Sequence, residues 1–284
     1  KLTLATLSDA EKKIEQKKIK AQTKLAANKN NRIKKRVFVV NFNGDLAATE
    51  VDNLREEITA ILSIASKRDE VVVRLESSGG MVQNYGLASS QLDRIRKEKI
   101  KLTVCVDKVA ASGGYMMACV GDKILAAPFA IIGSIGVVAQ MPNFNRFLKK
   151  HNVDFELLTA GEHKRTLTMF GKNTEKGRQK FIQELNDIHE LFKDYVSNRR
   201  SKIDIDTIAS GEVWFGSKAK DLSLIDEIST SDEYLSVCIR TAKVFEVVLV
   251  KKKTVFQRIG NSVETSMTRI GEKIWSKFTN PSDF

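Results

Sequence analysis

From residue 36 onward, unbroken apolar runs alternate with segments of helical spacing. "RVFVVNFNGDL" (36–46) is a continuous apolar run that stops at Asn43-Gly44-Asp45, the pattern of a strand buried on both faces and closed by a turn. "LREEITAILSIA" (54–65) has helical spacing, "VVVRLESSGG" (71–80) is a second strand run ending in glycines, and "NYGLASSQLDRIRKE" (84–98) is helical again. "KLTVCVD" (101–107) and "KILAAP" (123–128) predict two more strands, with a run of small residues, Ala110 to Gly114, between them. Strands alternating with helices at this spacing predict an α/β fold of repeated βαβ units, a largely parallel sheet and right-handed crossovers.

Further along, "VDFELLTAG" (153–161) predicts another strand, and residues 174–200 a long amphipathic helix. "FGSKAKDLSLIDEI" (215–228) predicts a short helix and then a short strand, and "FEVVLV" (245–250) a last strand. Two helices flank this body. Residues 8–26 are highly charged, capped by Ser8-Asp9, with a thin apolar stripe, and "NKNNR" (28–32) breaks the pattern after them. Residues 254–278 set Val255, Ile259, Val263, Met267, Ile270, Ile274 and Phe278 along one face of a basic helix, suited to packing on the body or a partner, or to a membrane surface.

The charge follows the same division. Of 284 residues, 1–36 hold 12 Lys or Arg against 3 Asp or Glu, and 239–284 hold 9 against 4. The middle, 37–238, holds 26 against 28 and is close to neutral. The basic ends read as solvated faces or contacts with anionic lipid. No nucleic-acid-binding motif accompanies them, so nucleic acid is not an expected partner. No stretch of 18 apolar residues and no signal-peptide pattern is present, and an anchor ahead of Lys1 would suit the basic segment that follows. Cys105, Cys119 and Cys238 lack metal-ligand spacing, so neither a metal nor a cofactor is expected, and Cys105 and Cys119 read as small buried hydrophobes.

Chemistry in parallel sheets collects beyond the carboxyl ends of strands. Two such ends carry glycine pairs, Gly79-Gly80 and Gly113-Gly114, which let backbone N–H groups approach a ligand. Ser112 stands between a strand and a helix start. It is either a plain N-cap, worth about 1 kcal/mol, or a nucleophile beside an oxyanion hole. Ser134, in "IIGSIGVVAQ", is a second placed hydroxyl or simply part of a tight turn. A nucleophilic serine needs a base. His151, His163 and His189 fall into no triad order, and G-x-S-x-G is absent. A lysine serves if its ammonium is destabilised by about 3–4 kcal/mol. Lys164, in "LLTAGEHKRTLTMFG" with Leu167, Met169 and Phe170 nearby, is the candidate.

Taken in order, "LESSGGMV", "VAASGGYMMA", "GSIGV", "TAGEHKRT" and "FGSKAKDLSLIDEI" resemble the signal peptide peptidase A family of serine peptidases, over about residues 36 to 230. The resemblance implies a ClpP/crotonase-like fold and a Ser-Lys dyad. Ser112 becomes the nucleophile, Lys164 the general base, Ser134 the residue that orients the lysine, and the Gly80 and Gly113 amides the oxyanion hole. Gly79, Met81, Gly114 and Tyr115 become candidates for the substrate wall. Ser78 stands where the family usually has proline, which removes a φ restraint from that turn.

The division this implies is a basic helical extension (1–35), a peptidase domain (36–238) and a basic strand-helix extension (239–284). The family's habits imply a homo-oligomeric ring or dome, in which dyad residues can come from neighbouring subunits. They also imply a polypeptide substrate of the signal-peptide kind, and a place at the bacterial inner membrane with the catalytic domain facing the periplasm and the terminal segments on the membrane surface. Two other readings stand beside this one. One is a catalytically inactive, membrane-associated ring scaffold. The other is an acyl-CoA hydratase or isomerase of the crotonase type, although "MVQNYG" and "YMMACV" after the glycine pairs lack the carboxylates such enzymes use.

Overall fold

The chain's structure is a computed structural model that describes residues 35–161 and 163–250. Strand β1 (Arg36–Gly44) is apolar on both faces because both are covered. Phe38, Val40 and Phe42 join the main core, while Val37 and Val39 join a smaller cluster with Val72, Cys105, Leu125 and Cys238. Parallel to β1 lies β2 (Glu70–Ser77), in register Val37↔Glu70 through Gly44↔Ser77.

The far edge of β2 holds two strands in succession. β3 (Lys101–Val106) pairs with residues 70–74, and β4 (Val109–Ala111) takes over at Ser77↔Ala110. From there the sheet divides into two branches. β3 leads to β5 (Lys123–Ala126) and β8 (Glu227–Ile228). β4 leads to β6 (Ile131–Gly133) and β7 (Val213–Phe215), and β6–β7 is the one antiparallel pairing among the described residues. β9 (Lys243–Glu246) runs parallel on the outer edge of β1. The expected α/β class with a largely parallel sheet is what the chain forms.

Helices α1 (Val51–Leu62), α2 (Val82–Lys97) and α3 (Gly113–Ala118) bury Leu54, Ile58, Tyr85, Leu92 and Tyr115 in the main core. Each such large side chain contributes about 1.5–3 kcal/mol by burial. α4 (Asn145–Lys150) buries none of its residues. α5 (Glu175–Ser197) starts at a Thr174 cap and brings Phe192 and Val196 into the core. α6 (Ile205–Ile208) and α7 (Gly216–Asp221) follow. α8 (Ser231–Thr241) begins in a capping box of Thr230 and Glu233 and supplies Cys238 to the smaller cluster.

Two expectations change. Residues 153–161 form no strand: among the described residues they pair with no neighbour, and Leu158 is 90% exposed. The last strand is β9, four residues at 243–246, and residues 247–250 are not part of it. Residue 239 lies within α8, and β9 pairs with β1. The helices expected at 8–26 and 254–278 lie outside the described residues. Among the described residues, no helix is long and apolar enough to cross a membrane.

Candidate active site

Three strand ends build the site. β4 lies between β2 and β6, so their carboxyl ends sit side by side, carrying Ser77–Gly80, Ser112–Gly114 and Gly133-Ser134. Ser112 occupies the joint of β4 and α3 at φ 52°, ψ −120°, a backbone region L-residues rarely adopt. Its N–H donates to Gly133 O at 2.8 Å, and its carbonyl accepts from Met116 N at 2.9 Å. The plain N-cap reading fails: the Ser112 side chain accepts nothing from the first turn of α3. The strain serves instead to hold a half-buried hydroxyl, with no hydrogen-bond partner among the described residues, in the lining of a cleft.

The glycine turns explain themselves by contact. Gly79 has φ 87°, and a Cβ there would lie 2.6 Å from Gly113 N and 2.7 Å from the Ser112 Cβ. Only glycine lets the two turns touch. The Gly79 amide is spent on Ser77 Oγ at 3.0 Å. The amides of Gly80 and Gly113 donate to no protein acceptor among the described residues, and both residues line the cleft with Ser112. Two N–H groups and a hydroxyl, all without a partner among the described residues, are an arrangement able to stabilise a tetrahedral oxyanion.

The cleft has a volume of about 480 Å³. Its walls are apolar: Leu46, Val82, Met116, Val138, Ile188 and Phe192. Among the described residues no Asp or Glu lines it. Ser134 (φ 53°) also lines it, its N–H donating to Glu212 O at 2.6 Å.

Other expected residues lie elsewhere. Lys164 is exposed, on a turn in which its N–H donates to Gly161 O at 3.2 Å, and it is not among the residues lining the cleft. Met81 is exposed beside the cleft, its N–H bonded to Leu46 O at 2.8 Å. Tyr115 is no substrate wall: it is fully buried and its hydroxyl donates to Leu224 O at 2.8 Å. Gly114 is buried against the Ser77 carbonyl, behind the cleft. His189 faces Ile135 O at 3.3 Å and lines no part of the cleft. Burial pushes the Cys105 and Cys119 thiols up to about 12, so they are inert core residues, as expected.

The wall residues Leu46, Val138, Ile188 and Phe192 escaped the sequence reading. Their signals were nonetheless present. Leu46 lies within the turn after β1, Val138 lies four residues after Ser134, and Ile188 and Phe192 share one face of α5.

Two family models match this chain: peptidase family S49 over residues 94–244, and peptidase family S49 N-terminal over residues 1–92. The chain belongs to peptidase family S49. A probable protease SohB of Haemophilus influenzae is 57% identical over 82% of this chain and 66% of its own length. A probable protease SohB of Buchnera aphidicola subsp. Acyrthosiphon pisum is 53% identical over 87% of this chain and 73% of its own. The chain thus spans about two thirds to three quarters of these relatives and is a SohB-type member of the family. Protease 4 of Haemophilus influenzae is 28% identical over 70% of this chain and 33% of its own length. Family and relatives together support a peptidase.

Proposed function

We propose that this S49 chain is a serine endopeptidase with a Ser112–Lys164 dyad, degrading signal peptides or other small apolar polypeptide segments at the bacterial inner membrane. One observation carries the reading. Ser112 is held at a strained strand-helix joint in an apolar cleft, and its hydroxyl and the amides of Gly80 and Gly113 beside it have no partner among the described residues. In the proposed reaction Ser112 Oγ attacks the scissile carbonyl and its proton passes to Lys164 Nζ. The carbonyl oxygen becomes an oxyanion that accepts from the Gly80 and Gly113 amides. The protonated lysine then donates to the leaving amine, and water hydrolyses the acyl-enzyme by the same proton path. Ser134 orients the lysine. The apolar wall from Leu46 to Phe192 suits an apolar side chain next to the cleaved bond.

Lys164 must then be brought to Ser112. We place that step in a homo-oligomer, a ring or dome in which the exposed apolar residues Val138, Phe147 and Leu158 meet a neighbour and one subunit's Lys164 serves another's Ser112. The terminal basic segments rest on the membrane surface, and the catalytic domain faces the periplasm.

The exposure of Lys164 favours a second reading, the catalytically inactive ring scaffold. A fluorophosphonate probe separates the two. The peptidase reading expects wild type to label at Ser112, Ser112→Ala not at all, and Lys164→Ala far more slowly. Equal labelling of wild type and Ser112→Ala, or none of either, favours the scaffold.

A further inference from the structure

Beneath the site lies a buried chain of hydroxyls that the proposed reaction does not touch. Tyr85, on α2, is fully buried. Its hydroxyl donates to Asp45 O at 2.7 Å. A carbonyl only accepts, so the one phenolic proton is committed there. Ser77 Oγ lies 2.6 Å from the same phenol oxygen. With the Tyr85 proton spent, Ser77 must be the donor in that contact. Its oxygen is then free to accept from Gly79 N at 3.0 Å. Every proton has one place: Gly79 N–H to Ser77, Ser77 to Tyr85, Tyr85 to Asp45. Burial raises the Tyr85 pKa, which keeps the phenol a donor.

The chain acts on both halves of the oxyanion hole. Occupying the Gly79 amide leaves the Gly80 amide as the free donor of that turn. The Tyr85 ring also lies directly beneath Gly113, where any added Cβ would strike it. Gly44 leaves room for the two hydroxyls, because a Cβ there would run into both Ser77 Oγ and Tyr85 OH.

The geometry points to Tyr85 and Ser77 as positioning residues for the oxyanion hole: their hydroxyl relay orients the Gly79-Gly80 turn, and the Tyr85 ring seats Gly113. This rests on the peptidase reading. Neither residue touches substrate; each acts through the amides it holds.

Tyr85→Phe keeps the ring beneath Gly113 and removes only the relay. Ser77→Ala cuts the same relay one link nearer Gly79. The test measures peptide hydrolysis, together with inhibition by a peptide aldehyde, which forms an oxyanion on the serine, and by the matching alcohol, which cannot. We expect each variant to lose about tenfold in kcat at unchanged KM, a smaller loss than removal of an oxyanion donor itself. Aldehyde inhibition weakens about tenfold, alcohol binding does not change, and the double variant is no worse than either single one, because one relay is cut once. An active wild type with variants of unchanged kcat overturns this inference alone. So do variants in which KM and both inhibitors shift together with kcat, since that marks general loosening. A wild type that neither cleaves peptides nor binds the aldehyde overturns the peptidase reading, and this inference with it.

Discussion

The amide of Ser112 donates to the carbonyl of Gly133 at 2.8 Å, and that bond ties the candidate nucleophile to the strand end that carries Ser134. The two hydroxyls therefore share one rigid seat at the ends of β4 and β6. Ser134→Ala is expected to lower kcat about 10- to 100-fold, as loss of a hydrogen bond to a catalytic group does. Its thermal midpoint should stay near wild type. Steady-state kinetics and a melting curve check both.

Gly79→Ala should damage fold and site at once. A methyl there meets Gly113 N and Ser112 Cβ, at a φ of 87° that alanine resists. The expected cost is about 2–3 kcal/mol of stability, with activity lost because the two glycine turns are forced apart. Denaturant unfolding measures the first part. Gly86→Ala is a matched control, since nothing lies within 4 Å of a Cβ there.

Glu70 anchors the opposite end of the sheet. It is buried at the start of β2 and held by Lys35, Lys101, Thr103 and Tyr234. Burial alone would raise its pKa, but the hydrogen bonds from Lys35, Thr103 and Tyr234, with the charge of Lys101, lower it from 4.5 to about 2. A depressed carboxylate stabilises the fold above its unfolded value and loses that contribution as pH falls toward the folded one. Glu70→Gln is therefore expected to cost about 2 kcal/mol near neutral pH, after allowing for the half-exposed lysines. The difference from wild type should shrink as pH drops from 4.5 toward 2. Urea unfolding across that range reads it.

If Lys164 serves a neighbouring Ser112, two inactive proteins should rescue each other. Mixing Ser112→Ala with Lys164→Ala under conditions of subunit exchange is expected to restore a sizeable fraction of wild-type turnover, and turnover per chain should fall on dilution. A mixture as inert as its parts would place both residues of the dyad in one chain.

The long strands were readable because each is buried on both faces and leaves an unbroken apolar run, as in Val37 to Phe42 or Val71 to Val73. The strands that matter most were not. β4, β6 and β7 are three residues each, too short to show a period, yet β4 and β6 carry Ser112 and Ser134. Ser112 and the glycine pairs were found because small residues clustered at strand ends are visible locally. The Tyr85–Ser77 relay was not, because it joins residues from three separate elements and Tyr85 reads as ordinary core. Residues 153–161 misled for the opposite reason. Their apolar run resembles a strand, but an apolar run shows only that cover is wanted, not whether the chain itself supplies it.

The most direct test is hydrolysis of unfolded casein and apolar fluorogenic peptides at about pH 7–9 by wild type, Ser112→Ala and Lys164→Ala, each first shown to be folded. The account predicts cleavage by wild type and none by either variant. Full activity in either variant would contradict the dyad, and an inert wild type would contradict the peptidase.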